Sequence, residues 1–200
     1  LSGALLRVRS GRDGTGDLTT GAVALRGATI VLEAGDGAGG ATGARLVLDG
    51  GTTLADVAGT GQPLAIVLRQ DAALATGTLP GGGQFVGGTA GLDLTLGSRD
   101  AGVTLDAAGP IAGSALTVES AASVVASVAL ALQSLDVDAA GTTTVQQSLD
   151  VTGTADVAGD LSLEDDLDVG SLLVDGDLVL GGTGARTYDV GSDADVTGTL

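Results

Sequence analysis

The residues able to do chemistry are almost all carboxylates. The densest group is Glu164-Asp165-Asp166. Glycoside cleavage needs two carboxyl groups at a defined separation, and sites of that kind also recruit basic or aromatic side chains to hold the sugar. The nearest such residues in sequence are Arg186 and Tyr188. A solvated turn accounts for the cluster with fewer assumptions. A second option is an oxygen-loving cation. Asp136-x-Asp138, Asp175-x-Asp177 and Asp193-x-Asp195 set carboxylates two residues apart, and stacked turns would converge them on calcium. The EF-hand pattern fails, since Val179 comes after Asp175 and Asp177 and no Glu stands at the twelfth position. The calcium-binding nonapeptide pattern fails as well: in "DGTGDLT" (13–19) Asp17 falls one residue early. Weak calcium binding by Asp-rich turns is expected, a defined site is not.

Gly35-Asp36-Gly37-Ala38-Gly39-Gly40 matches GxGxxG directly after the strand-like "ATIVLE". A dinucleotide site would place a helix next, so that its N-terminus meets the pyrophosphate. The chain instead continues as "ATGARLVLDGG", which alternates like a strand, so a plain loop is the expectation. His and Cys are absent, which excludes Ser-His-Asp and Cys-His catalysis and imidazole or thiolate zinc sites. Lys is absent too, and the eight basic residues form no stripe for nucleic acid. The sequence therefore assigns no catalytic residue, no cofactor and no metal ligand, and an enzyme is not expected.

The formal net charge is −17, nearly all of it Asp, which repels nucleic acid and anionic membranes alike. Apolar residues make up 44% but are mostly Ala, Val and Leu, and Phe85 and Tyr188 are the whole aromatic complement. A compact core leans on aromatics for its largest burials. This interior must instead be narrow and lined by small branched side chains. The longest apolar window, "AASVVASVALALQSL" (121–135), is too short to span a bilayer as a helix and is interrupted by Ser123, Ser127 and Gln133. Buried strands are expected there.

A short beat organises the chain. Leu161-x-Leu163, Leu167-x-Val169, Leu172-x-Val174 and Leu178-x-Leu180 are apolar pairs separated by Gly, Asp and Ser. On a helix these positions split into two opposed groups, whereas on strands each pair shares one face. The starts run 149, 155, 161, 167, 172 and 178, a step of six broken once by five. Strands this short do not stand alone. They become stable when each stacks on its equivalent one coil later, at about 4.8 Å. Three beats make a coil of roughly 18–20 residues, so the chain would hold about ten rungs. A β-sandwich is the competing fold, disfavoured because the beat is shorter than the usual strand-and-turn spacing and the aromatic anchors are missing. Strict hexads are typical of left-handed helices, but the looser region before them looks right-handed.

At "GVTLDAAGPIAGSALTVESAAS" (102–123), "GQPLAIVLRQDAAL" (61–74), "GDLSL" (159–163) and "GDLVL" (176–180) the chain resembles the repeat regions of filamentous-haemagglutinin-type exoproteins, the two-partner-secretion adhesins of Gram-negative bacteria. The resemblance implies a right-handed parallel β-helix, export across two membranes and a role as a surface rod. The family's Asn ladders are absent, so Asp or Thr would have to take their corners. Its N-terminal secretion module is not recognisable here, and the hexad tail also resembles the repeats of trimeric phage tail fibres.

The expectation is thus an all-β parallel β-helix, one continuous solenoid and a segment of a longer chain, with irregular coils over 1–145 and regular hexad-like coils over 146–200. Its expected function is that of a structural stalk of a secreted or cell-surface adhesin, extracellular and monomeric, without membrane insertion. Host or neighbouring-cell surface molecules or glycans are its expected partners. The alternatives are a polysaccharide-acting β-helix enzyme and a trimeric phage-tail-like fibre.

Overall fold

The computed structural model describes residues 5–11, 16–36, 43–55, 64–78, 92–106 and 109–200. It is an all-β parallel solenoid of about eight turns. The first coil carries β1 (Leu5–Ser10), β2 (Leu18–Thr20) and β3 (Ala24–Arg26), and the second β4 (Thr29–Ala34), β5 (Leu46–Leu48) and β6 (Thr53–Ala55). Next come β7 (Leu64–Gln70) with β8 (Leu74–Ala75), β9 (Leu92–Ser98) with β10 (Val103–Leu105), and β11 (Ile111–Ser120) with β12 (Val124–Ala126). The last coils carry β13 (Leu130–Ala139) with β14 (Thr143–Val145), β15 (Leu149–Ala158) with β16 (Leu161–Leu163), and β17 (Leu167–Val174) with β18 (Leu178–Leu180). β19 (Tyr188–Val190) and β20 (Ala194–Val196) close the described chain, both against β17.

Every pairing is parallel. The main wall runs β1-β4-β7-β9-β11-β13-β15-β17-β19 and a second wall runs β8-β10-β12-β14-β16-β18, while β2 pairs β5 and β3 pairs β6 in the first two coils. Inward positions form continuous apolar columns. One is Leu6–Ile30–Ile66–Leu94–Leu116–Leu135–Ala155–Leu172–Ala194, and beside it runs Val8–Leu32–Leu68–Leu96–Val118–Val137–Val157–Val174–Val196. This is the narrow, small-residue interior that the composition demands. Leu161, Leu163, Leu167 and Val169 all lie inside, each no more than 2% exposed.

The three beats of a coil fall on three faces. Leu149 and Val151 start the long strand β15, Ala155 and Val157 finish it around a bend, and Leu161 and Leu163 form β16. The single five-residue step also has a structural counterpart. Val151 pairs Val169 and Ala155 pairs Leu172, so three residues round the bend in β15 but only two in β17; β13 also has two there, so β15 carries one extra residue and the register shifts by one on both of its sides. The inward columns on either side are undisturbed.

Equivalent residues Ile111, Leu130, Leu149, Leu167 and Tyr188 are spaced 19, 19, 18 and 21 apart. Upstream the steps are longer: Leu5 to Thr29 is 24, Thr29 to Ala65 is 36 and Ala65 to Asp93 is 28. Those larger coils are why the chain makes about eight turns where a uniform short coil would make about ten.

With no Asn available, corners are satisfied by other side chains. Asp160 accepts the Asp177 N–H at 3.0 Å, and Asp177 accepts the Thr199 N–H at 2.7 Å and its hydroxyl at 2.6 Å. At an inner corner of the earlier coils, Gln70, Ser98 and Ser120 stack in register and are buried. Gln70 accepts the Leu46 N–H at 2.8 Å, Ser98 donates to the Ala72 carbonyl at 2.8 Å, and Ser120 donates to the Ala101 carbonyl at 3.2 Å. The Asp role agrees with the sequence expectation, whereas the Gln/Ser corner is new.

Candidate functional site

Glu164, Asp165 and Asp166 sit in the turn between β16 and β17. Asp165 Oδ1 accepts the Asp166 N–H at 2.9 Å and lies 3.2 Å from Arg186 Nη1, while Asp166 Oδ1 accepts the Thr187 N–H at 2.8 Å. Arg186 thus comes to the cluster from one coil away, and the carboxylates are engaged in holding turns. Tyr188 turns elsewhere: its ring packs on the core and its hydroxyl donates to the Gly181 carbonyl at 2.9 Å. A shallow depression of about 240 Å³ nearby includes Asp150, Asp166, Asp168 and Asp189 in its lining, and neither Asp165 nor Arg186.

Of the GxGxxG match, Gly35 and Asp36 are described and 37–42 lie outside the described residues. The next described element is the strand β5, with Leu46 and Leu48 buried and Val47 exposed between them, so alternation is the correct reading. Gly35 itself has a clear task. Its φ is +80°, and a Cβ there would lie 1.9 Å from Asp71 Oδ2. The buried Asp71 carboxylate occupies that space and accepts the Asp36 N–H at 3.2 Å. A glycine turn that could have received a phosphate is filled by the chain's own carboxylate.

Among the paired aspartates, Asp136 and Asp138 face outward from β13, Asp175 and Asp177 flank the turn into β18, and Asp193 and Asp195 lie at and within β20. Residues 13–15 of "DGTGDLT" lie outside the described residues, and Asp17 accepts the Arg45 N–H at 2.9 Å. Among the described residues, no three carboxylates come together in a way that would hold a metal ion.

The densest polar constellation was not singled out from sequence. Glu33, 3% exposed, sits among four arginines on the outward side of the main wall. Arg9 donates its Nε–H to Glu33 Oε2, and Arg7 Nε lies 3.4 Å from the same oxygen. Arg69 Nη1 and Arg99 Nη2 each lie 3.7 Å from Oε1. Arg99 also reaches Asp71 Oδ1 and the Ala34 carbonyl, both at 3.1 Å. Arg69 continues to Glu119, with Nε to Oε2 at 2.7 Å and Nη2 to Oε1 at 2.5 Å.

The last contact skips a rung. Arg69, Gly97 and Glu119 occupy consecutive positions of one column, and a Cβ on Gly97 would lie 2.8 Å from Arg69 Cγ. The missing side chain is the channel through which Arg69 passes. The Arg9 hydrogen bond and the surrounding guanidinium charge hold the Glu33 carboxyl below the usual range despite its burial. The same bond raises the Arg9 guanidinium.

Beyond Glu119 the outward columns carry one sign. Asp150, Asp168 and Asp189 stack on consecutive rungs, as do Asp136 and Asp156. Partial desolvation, then repulsion from Asp156, Asp138 and Glu119, pushes the Asp136 carboxyl upward. What these features do chemically is brace strands and repel like charge; no nucleophile, base and oxyanion donor converge among them. No helix among the described residues is long and apolar enough to cross a membrane. No protein-family model, curated protein or solved structure gives a significant match to this chain.

Proposed function

We propose that this solenoid is a structural stalk, a rod segment of a large secreted or cell-surface adhesin of the filamentous-haemagglutinin type, which holds binding regions away from the cell. The observation that carries this reading is the continuous alignment of the inward columns, kept through two one-residue register shifts. Nine successive rungs of the main wall align the same two apolar columns, although the steps between them range from 17 to 36 residues. Coil length varies and the alignment of the inward columns does not, which is what a spacer requires. The acidic exterior keeps neighbouring rods apart and blunts edge pairing. Contacts with host or neighbouring-cell surface molecules or glycans belong to this proposal as weak adhesion along the rod.

Removing Leu130–Asp166 in frame from the parent protein tests the stalk. These residues are two complete coils, and Leu167 then comes directly after Ala129 as Leu130 did. The expected result is a folded protein about 10 Å shorter by electron microscopy, with tip binding retained. Loss of a catalytic activity from a protein that still folds would overturn the proposal. The polysaccharide-acting alternative draws on the meeting of Arg186 with Asp165, and sugar release abolished by Asp165→Asn would establish it. Sedimentation separates the fibre alternative, since the stalk is a monomer and the phage-type fibre a trimer.

A further inference from the structure

Seven of the eight arginines precede residue 100, and sixteen of the 25 acids come after it. The structure turns this asymmetry into two different electrostatic devices on one wall. Over the early rungs, Glu33 on β4 faces Arg7 and Arg9 from β1, Arg69 from β7 and Arg99 from the turn after β9. Asp71 joins through Arg99, and Glu119 on β11 joins through Arg69. This clasp ties five rungs across the longest and least regular coils. Over the later rungs, Asp136 on β13 is in register with Asp156 on β15, Asp138 two residues on is in register with Glu119 on β11, and all three acids repel Asp136. Asp168 on β17 lies between Asp150 and Asp189, with the Asp165–Arg186 pair in the turn just before its strand. Like charges on neighbouring rungs oppose stacking.

We propose that acid acts on two parts of this rod in opposite senses: it relaxes the carboxylate cluster around Asp136 on β13, so that the coil there tightens, and unfastens the arginine clasp over β1–β11, so that those coils loosen. The two events are staged. Asp136 titrates above the ordinary Asp range in the folded chain, so the folded state takes its proton before the unfolded state does. Stability then rises as the pH falls through that value. Glu33 titrates below the ordinary Glu range, so the clasp is complete above that range and is lost as the pH falls through Glu33's own value. Moderate acid therefore tightens the coil around Asp136 with the clasp intact, and stronger acid then releases the earlier coils.

Hydrogen exchange read by mass spectrometry tests this directly, at about pH 7, 4.5 and 3 with rates corrected for intrinsic exchange. Between the first two conditions, protection in peptides covering 130–139 should rise while 29–34 and 64–70 hold steady. At the lowest pH, protection in 29–34 and 64–70 should fall about tenfold. Glu33→Gln should give the early peptides their acid behaviour already at neutral pH. Asp136→Asn should give 130–139 part of its acid gain there. Should Glu33→Gln not fold, Arg9→Gln removes the hydrogen bond to Glu33 at the exposed end of the clasp and should raise the pH at which 29–34 loosens. If the two regions move in the same direction across the whole range, or if Asp136→Asn lowers protection in 130–139, the proposal is wrong.

Discussion

Thr143 offers a sharp test of how the solenoid's interior is held. The inward column of the second wall reads Leu74–Val103–Val124–Thr143–Leu161–Leu178, so one hydroxyl is stacked among aliphatic side chains. Thr143 is 2% exposed, and its Oγ1 has no hydrogen-bond partner among the described residues. Thr143→Val exchanges that hydroxyl for a methyl group at nearly constant volume, with no cavity or overpacking to offset the change. A buried hydroxyl without a partner costs about 1–3 kcal/mol, so the variant should gain about 1–2 kcal/mol, or roughly 2–6 °C in melting temperature for a chain of this size. The chain has no Trp, so urea unfolding is best monitored by far-ultraviolet circular dichroism. The control is Thr144→Val one residue on, which points outward and is only half-buried. It carries the same change in strand propensity without the buried hydroxyl, and should shift stability by less than about 0.5 kcal/mol. Equal gains at both positions, or a loss at Thr143, would refute the argument.

Gly35→Ala should destabilise the early coils by at least about 1–3 kcal/mol in the same assay, because it strains a positive φ and displaces the Asp71 carboxylate. Leu149→Ala empties a fully buried position in the middle of the main wall and should cost about 2–5 kcal/mol. Gly97→Val should close the channel used by Arg69. The signature is a smaller difference in unfolding free energy between low and high salt than the native chain shows, by about 0.5–1 kcal/mol. Carboxyl NMR titration should find Asp136 above the ordinary Asp range and Asp177 below it. Thr199→Val, which removes the hydroxyl bonded to Asp177, should bring Asp177 back toward that range.

How far the sequence announces this molecule depends on the coil. From Leu149 to Leu178 the apolar pairs recur at nearly constant steps, and their members lie on the buried face that this rhythm predicts, whereas Leu180, the second member of the last pair, is exposed. Even the five-residue step was visible, although its meaning, one residue fewer at a bend, needed the register. The arginine clasp was hidden because its contacting members are 24 to 66 residues apart and belong to coils of unequal length. A usable signal existed nonetheless. Arg9, Glu33, Arg69, Gly97 and Glu119 each come directly after an inward pair, as in "LRVR", "IVLE", "IVLR", "LTLG" and "LTVE". Aligning those pairs instead of counting residues would have brought the charges into one column. The filled glycine turn at Gly35 was beyond such reasoning, because Asp71 arrives from the next coil through a segment with no fixed spacing.

The all-parallel stack has a mechanical corollary. Hydrogen bonds between rungs lie along the rod axis, so a pull on its two ends loads successive rungs in series. Each rung experiences the full tension, and the end coil has one neighbour instead of two. Extension should therefore proceed by peeling, one coil at a time. A regular coil of 18 to 21 residues then releases roughly 60–75 Å of chain for each 4.8 Å of rod consumed. Under tension such an object lengthens more than tenfold at nearly constant force, absorbing work in equal instalments where a single globular domain would give way once.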